Sequence, residues 1–169
     1  MLYFAYGSNL HPHRLKARAQ AACLLSAATL PGHRLRFHKR GADGSGKCDC
    51  VPAGASHCVH GALYALTDRC LAALDRVEGP GYRKMAVQVT TRFGVLEAFT
   101  YRAREGWIDP GLRPFHWYLE LVLAGTRFHG FPEPYRARIA KVPAARDPDR
   151  IRAERHARLL ETIRPTLPQ

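Results

Sequence analysis

Leu71, Leu74 and Glu78 stand at i, i+3 and i+7, so one apolar helix face ends in a carboxylate. Burial there disfavours the ionised form, and the negative end of the helix dipole pushes the same way, so the pKa should rise above its reference of ~4.3. Such a group can accept a proton near neutral pH. Spacing alone also allows Glu78 a frayed helix end pointing to water. Asp75 lies three residues earlier and can share that side. It fits either a second acid or a structural acceptor for backbone and tyrosine groups, and the structural role is the expected one.

A second candidate is the stretch Tyr6-Gly7-Ser8-Asn9-Leu10. Gly7 and Ser8 follow an apolar run and precede a helix, a context that frees backbone N–H groups to bind a carboxylate or a developing oxyanion. An ordinary strand-to-helix connection looks the same. Ser8 has no Ser-His-Asp context and is not in a Gly-x-Ser-x-Gly elbow, which argues against nucleophilic catalysis. Cys48, Cys50, His57, Cys58 and His60 could supply four zinc ligands, but their spacings fit no common pattern. Cys-x-Cys sets both thiols on one face of a strand as small apolar residues, so no metal is expected.

The elements that must position these groups are short. Leu2–Tyr6 reads as a buried strand closed by Gly7. Pro12 opens a helix continued by Leu15, Arg18, Ala19 and Ala22. Leu30–Phe37 alternates loosely and leads into a glycine-rich loop over 41–47, and Val59–Leu66 is a further strand. Thr67 caps a helix through Val77, ended by Gly79 and Pro80. Met85, Val87 and Val89 alternate with polar or small residues, and Val95–Tyr101 returns after a turn at 92–94. Pro114 opens a helix carrying Trp117, Tyr118, Leu121 and Val122 that Gly125 can end, and Asp147-Pro148 caps an arginine-rich helix over about 148–163. This pattern predicts one α+β domain over 1–169, on a small mixed sheet of five to six strands with flanking helices. Closure into a barrel is left open.

Composition narrows the class. With 169 residues and 46% apolar content, the chain can bury one core. No stretch reaches the roughly 20 consecutive apolar residues of a membrane span, and the N-terminus shows no basic n-region or cleavage site. Five scattered cysteines read as reduced thiols, which predicts a cytoplasmic protein with no membrane partner. The net charge of +12 could be a nucleic-acid footprint. Yet 21 of the 26 basic residues are arginine amid much Ala, Gly and Pro, as in a G+C-rich coding sequence, and no binding motif accompanies them. Nucleic acid is therefore not the expected partner, and the oligomeric state is not legible.

Taken together, Tyr3-Phe4-Ala5-Tyr6-Gly7-Ser8-Asn9-Leu10 and Leu74-Asp75-Arg76-Val77-Glu78-Gly79-Pro80-Gly81-Tyr82 closely resemble the two signatures of the γ-glutamylcyclotransferase (AIG2-like) family. Gly44-Ser45-Gly46-Lys47 and Val59 to Tyr64 look like its glycine-rich loop and next strand. Tyr118, Gly125-Thr126, Gly130, Pro132 and Tyr135 fall in the pattern of its later helix and closing loop. The likeness covers about residues 2–140.

The resemblance implies a small mixed barrel and an acyltransferase that cyclises a γ-glutamyl compound to 5-oxoproline without a cofactor. The loop Tyr6–Leu10 would hold the glutamyl moiety, and Tyr82 and Tyr118 would donate into the pocket. Glu78 would take a proton from the α-amino group, which then attacks the γ-carbonyl. Phe115-His116-Trp117 departs from the smaller, more polar residues often found there, and cysteines replace small aliphatic residues near Lys47. The first loop differs from that of the glutathione-specific branch, so the chain looks closer to types acting on γ-glutamyl amino acids or amines. Two rivals stand beside this reading: a non-catalytic module binding a γ-glutamyl-type ligand, and a basic nucleic-acid binder.

Overall fold

The computed structural model describes residues 1–163; residues 164–169 of the expected domain lie outside it. Five strands close into a barrel in the order β1-β5-β2-β6-β7, where β1 is Leu2–Ala5, β2 Cys23–Pro31, β5 Cys58–Ala65, β6 Tyr82–Thr91 and β7 Gly94–Ala103. The neighbours pair antiparallel except at the seam, where β1 meets β7 in parallel at Tyr3 and Phe99. Closure removes the sheet edges that an open five-stranded sheet would expose. A separate two-stranded sheet pairs β3 (His33–Arg40) with β4 (Gly46–Pro52).

The helices are α1 (Pro12–Lys16), α2 (Asp68–Glu78), α3 (His116–Phe128), α4 (Glu133–Ala140) and α5 (Arg150–Ile163). Thr67 caps α2 by accepting from Cys70 N at 3.3 Å, and Gly79 ends it at φ +70°, with its N–H donating to Asp75 O. Leu74 of α2 is fully buried in the main core with Phe4, Leu10, Leu15, Val59, Leu63 and Val89. No helix among the described residues is long and apolar enough to cross a membrane.

Several elements differ from expectation, each for a local reason. The helix at Pro12 stops at Lys16, and Ala19 and Ala22 bury themselves from turns instead, with Ala22 N donating to Ala19 O. β2 was not expected, because its inward Ser26, Ala28 and Leu30 alternate with Leu25, Ala27 and Thr29, so polarity carries no period. The run Leu30–Phe37 is two strands broken at Gly32, which turns at φ +66°. β4 begins at Gly46, inside the polar loop expected over 41–47, and carries Cys48 and Cys50 in the extended backbone expected of them; its Asp49 is fully buried, accepting from Ala103 N and from the His38 ring, each at 2.9 Å. A second helix, α4, stands where only a closing loop was expected.

At the last helix, Asp149 accepts from Arg152 N at 2.9 Å and so does the capping expected of Asp147, whose carboxylate instead takes the Trp117 indole and the Arg152 guanidinium. Gly125 likewise does not end α3. It is the point where α3 presses on the loop after β1: a Cβ there would lie 2.3 Å from Leu10 Cβ and 3.1 Å from His11 N. Gly125→Ala should therefore cost about 1–3 kcal/mol, the usual penalty of overpacking. A lower denaturant midpoint at unchanged slope checks this, and an unaltered midpoint would show that the contact yields freely.

Candidate active site

The barrel end of β1 and the C-terminus of α2 bring the two sequence candidates together. Asn9 donates through Nδ2 to Glu78 Oε1 at 2.9 Å and to the Tyr3 hydroxyl at 3.2 Å, while its Oδ1 accepts from Arg18 at 2.8 Å. Arg18 also stands 3.6 Å from Glu78 Oε1. The carboxylate is thus turned into the structure, its side chain only 15% exposed, and does not fray into water.

Asp75 points elsewhere. It accepts from Tyr101 OH at 2.7 Å and Lys84 Nζ at 2.9 Å, tying α2 to β6 and β7. Burial pushes its carboxyl up, but the bonds from Tyr101 and Lys84 outweigh that and hold it below its ordinary value. For Glu78 the balance goes the other way. Burial raises its pKa by more than Arg18, Asn9, Lys39 and Arg14 lower it.

Glu78 stands at the junction of two spaces. One is a narrow recess of about 30 Å³ walled by Tyr3, Tyr6, Gly7, Ser8, Tyr101 and Tyr118, among others. At about one water per 10–15 Å³ it has room for roughly two waters, hence for a polar head group. The other is an open cleft of about 800 Å³ that shares Ser8, Glu78, Tyr82 and Tyr118 with the recess. In the loop between, Leu10 N donates to Gly7 O at 3.0 Å; no protein acceptor takes the N–H of Gly7, Ser8 or Asn9 among the described residues. A Cβ on Gly7 would meet Cys48 Cβ at 3.0 Å, so glycine lets β4 close on this loop.

The expected binding residues divide. Gly7, Ser8 and Asn9 line the recess, and Tyr6 lines it with its ring while its hydroxyl donates to Tyr101 O. Leu10 is fully buried away from it. Its carbonyl accepts from Tyr64 OH and His129 Nε2, so it anchors the loop and offers nothing to a ligand. Tyr82 donates to Cys48 O at 2.6 Å, which engages the proton expected for the pocket, and Tyr118 accepts from Cys48 N while its hydroxyl also bonds the Cys48 side chain, so both tyrosines turn their hydroxyls to Cys48. Sequence reasoning missed Tyr3, Arg18, Lys39, Cys48 and Tyr101. The sequence places Arg18 only as a continuation of the helix opened at Pro12; the structure ends that helix at Lys16, and the turn after it brings Arg18 to Asn9 and the carboxylate.

Among the described residues no three His, Cys, Asp or Glu side chains converge as metal ligands. Cys48 and Cys50 are buried in the core, and Cys58 Sγ meets His60 Nε2 at 3.6 Å.

A family model described as gamma-glutamyl cyclotransferase, AIG2-like, matches residues 3–117, a span that holds both the Tyr6–Leu10 loop and Glu78. The chain belongs to this family. A gamma-glutamylcyclotransferase from Bos taurus is 26% identical over 148 residues, 83% of this chain and 78% of the relative. Among solved structures, one named gamma-glutamyl cyclotransferase superposes with a TM-score of 0.83 at 21% identity, covering 96% of this chain and 98% of that one. An uncharacterized protein from Homo sapiens gives 0.83 at 22% identity over 95% and 97% of the two chains. YkqA from Bacillus subtilis gives 0.70 at 22% identity, over 86% of this chain and 56% of its own. At these identities the solved structures establish the shared γ-glutamylcyclotransferase-like fold.

The raised pKa of Glu78 makes a prediction about folding. Between the ordinary carboxyl pKa and the raised one, the folded protein holds a proton that the unfolded chain has released, so stability falls as pH rises through that window. Glu78→Gln removes this cost. Its thermal midpoint should gain on the wild type as pH goes from 4 to 8, with little difference at the acid end. A gap that shrinks with pH would mean that Arg18 wins over burial and the carboxylate is held ionised.

Proposed function

We propose that this chain is a cyclising acyltransferase: it converts a γ-glutamyl amino acid or amine into 5-oxoproline and releases the amine, with Glu78 as general base. The observation that carries this reading is the place of the Glu78 carboxylate, held by Asn9 and flanked by free loop N–H groups where recess and cleft meet.

The steps use what stands there. The head of the glutamyl group enters the recess, and its α-ammonium gives a proton to Glu78, whose raised pKa suits it to accept one near neutral pH. The freed nitrogen attacks the γ-carbonyl carbon of the same molecule, so the site need only fold the chain back on itself, and holding reacting atoms in contact supplies much of the rate. Charge developing on the carbonyl oxygen faces the N–H groups of Gly7 and Ser8, donors fixed before the reaction begins. Addition to the carbonyl closes the ring, and the old C–N bond breaks as the leaving nitrogen takes the proton from Glu78. The ring nitrogen's second proton then passes to the same carboxylate, which hands it to the released amine and returns to its ionised state. Each step is a proton transfer or an acyl shift, with no change of oxidation state. Arg18 and Asn9 hold the carboxylate in one orientation throughout. The five free thiols are compatible with a reducing cytosol as the place of action.

Glu78→Gln keeps shape but cannot accept a proton, so 5-oxoproline release should fall by roughly 10²- to 10⁴-fold, the common worth of general acid–base catalysis, while substrate affinity changes little. Turnover measured beside binding and the thermal midpoint decides it. A variant that folds, binds and turns over near the wild-type rate removes Glu78 from the mechanism.

A further inference from the structure

In the proposed reaction the departing amine lies in the open cleft, and the walls of that cleft are strongly one-sided in charge. Seven Lys and Arg side chains line it against two carboxylates, Asp43 and Glu78. Three of the cations are engaged: Lys47 with Asp43 at 2.7 Å, Arg152 with Asp147, and Arg18 with Asn9 and Glu78. Arg76 and Arg155 are exposed and belong equally to the solvent, and Arg14 on α1 is partly buried and leaves its Nε without a hydrogen-bond partner.

Lys39 is different. It is only 5% exposed, yet its ammonium has no carboxylate or carbonyl partner among the described residues. The Nζ stands 4.4 Å from the centre of the Tyr82 ring and 5.1 Å from that of Trp107, and opens into the cleft that holds Glu78. The stem is buried while the ammonium at its tip reaches the cleft, flanked by two aromatic faces and met by no anion among the described residues, so it is held in one place and open to a ligand.

The surroundings are built around this tip. Pairing between β3 and β4 runs Arg36 to Asp49 but Lys39 to Lys47, so β3 carries an extra residue, and such bulges re-aim side chains. On the facing turn, a Cβ at Gly81 would lie 2.6 Å from Lys39 Cε and 2.8 Å from Trp107, so only glycine leaves room for both, three residues from Glu78.

We propose that Lys39 is a specificity-determining residue that binds an anionic group, a carboxylate in the simplest case, on the amine side of the substrate. The chain then acts on γ-glutamyl conjugates of acid-bearing amines in preference to neutral or cationic ones. This rests on the reading of Glu78 as the base of a cyclising reaction. An anion at Lys39 completes the missing ion pair. A cationic amine would add an eighth positive charge to the cleft, and like charges brought together are a common means of rejecting the wrong partner.

The test compares γ-glutamylalanine with γ-glutamylethylamine, which lacks only the carboxylate, and with the γ-glutamyl conjugate of 1,4-diaminobutane. Release of 5-oxoproline is followed for the wild type, Lys39→Met, Lys39→Gln and Lys39→Arg. The wild type should favour γ-glutamylalanine over γ-glutamylethylamine in kcat/KM by roughly 10- to 100-fold, the worth of a hydrogen bond to a charged group, with the diamine conjugate slowest. In Lys39→Met and Lys39→Gln the ratio should collapse toward one, chiefly through KM for γ-glutamylalanine, and Lys39→Arg should restore most of it. A wild-type ratio near one, or a diamine conjugate turned over faster than γ-glutamylalanine, overturns the proposal without any variant. So does a ratio that survives in a folded Lys39→Met or Lys39→Gln. In those cases 5-oxoproline is still made and Glu78 keeps its role. Absence of 5-oxoproline from all three substrates with the wild type removes the reaction itself, and this inference with it.

Discussion

The side-chain amide of Asn9 joins parts of the chain that share no other reason to meet. Through one nitrogen it reaches Tyr3 on β1 and Glu78 at the end of α2, and through its oxygen it takes Arg18 from the turn after α1. A buried carboxylate beside a guanidinium has two extreme outcomes: a tight ion pair that cannot accept a proton, or a neutral acid that cannot hold a cation. The amide keeps the site between them. It satisfies one carboxylate oxygen with a neutral donor and occupies the guanidinium, so Arg18 stays at 3.6 Å and never closes into a short bidentate pair.

The rest of the fold serves to hold that amide still. Leu10, next to it, is pinned by Tyr64 and His129 through its carbonyl and by Gly125 of α3 through its side chain. From the other side, Tyr82 and Tyr118 grip the backbone of Cys48, which packs on Gly7. The family match ends at Trp117, yet α5 beyond it stacks His156 on Trp117 at 3.7 Å and lends Arg152 and Arg155 to the cleft. The last helix thus bears on the open cleft and leaves the recess alone.

How much was legible in the sequence follows from where the information lies. The stripe Leu71, Leu74, Glu78 with its Thr67 cap and Gly79 stop is local, so α2 could be read within a residue of its true ends. The β6–β7 hairpin was equally plain, since Met85, Val87 and Val89 turn inward while Ala86, Gln88 and Thr90 face out. β2 was hidden because alanine and serine fill inward positions that larger apolar residues usually mark, and the start of β4 was masked by the glycine-rich run before Cys48. Tyr3, Lys39 and Tyr101 reach the site only through barrel closure and a strand bulge, neither of which leaves a mark in residue type. Even closure itself depended on a parallel contact between the first strand and the last.

That seam has a bearing on biosynthesis. Of the barrel strands β1 is made first, but one of its edges pairs with β5, about sixty residues later, and the other with β7, about a hundred residues later, so that second edge stays unmet until Phe99 is made. Tyr6 and Asp75 both wait for Tyr101 as their partner. The growing chain therefore carries the Tyr6–Leu10 loop and Glu78 before it can bring their partners together, and the last strand of the barrel supplies Tyr101 to both sides at once.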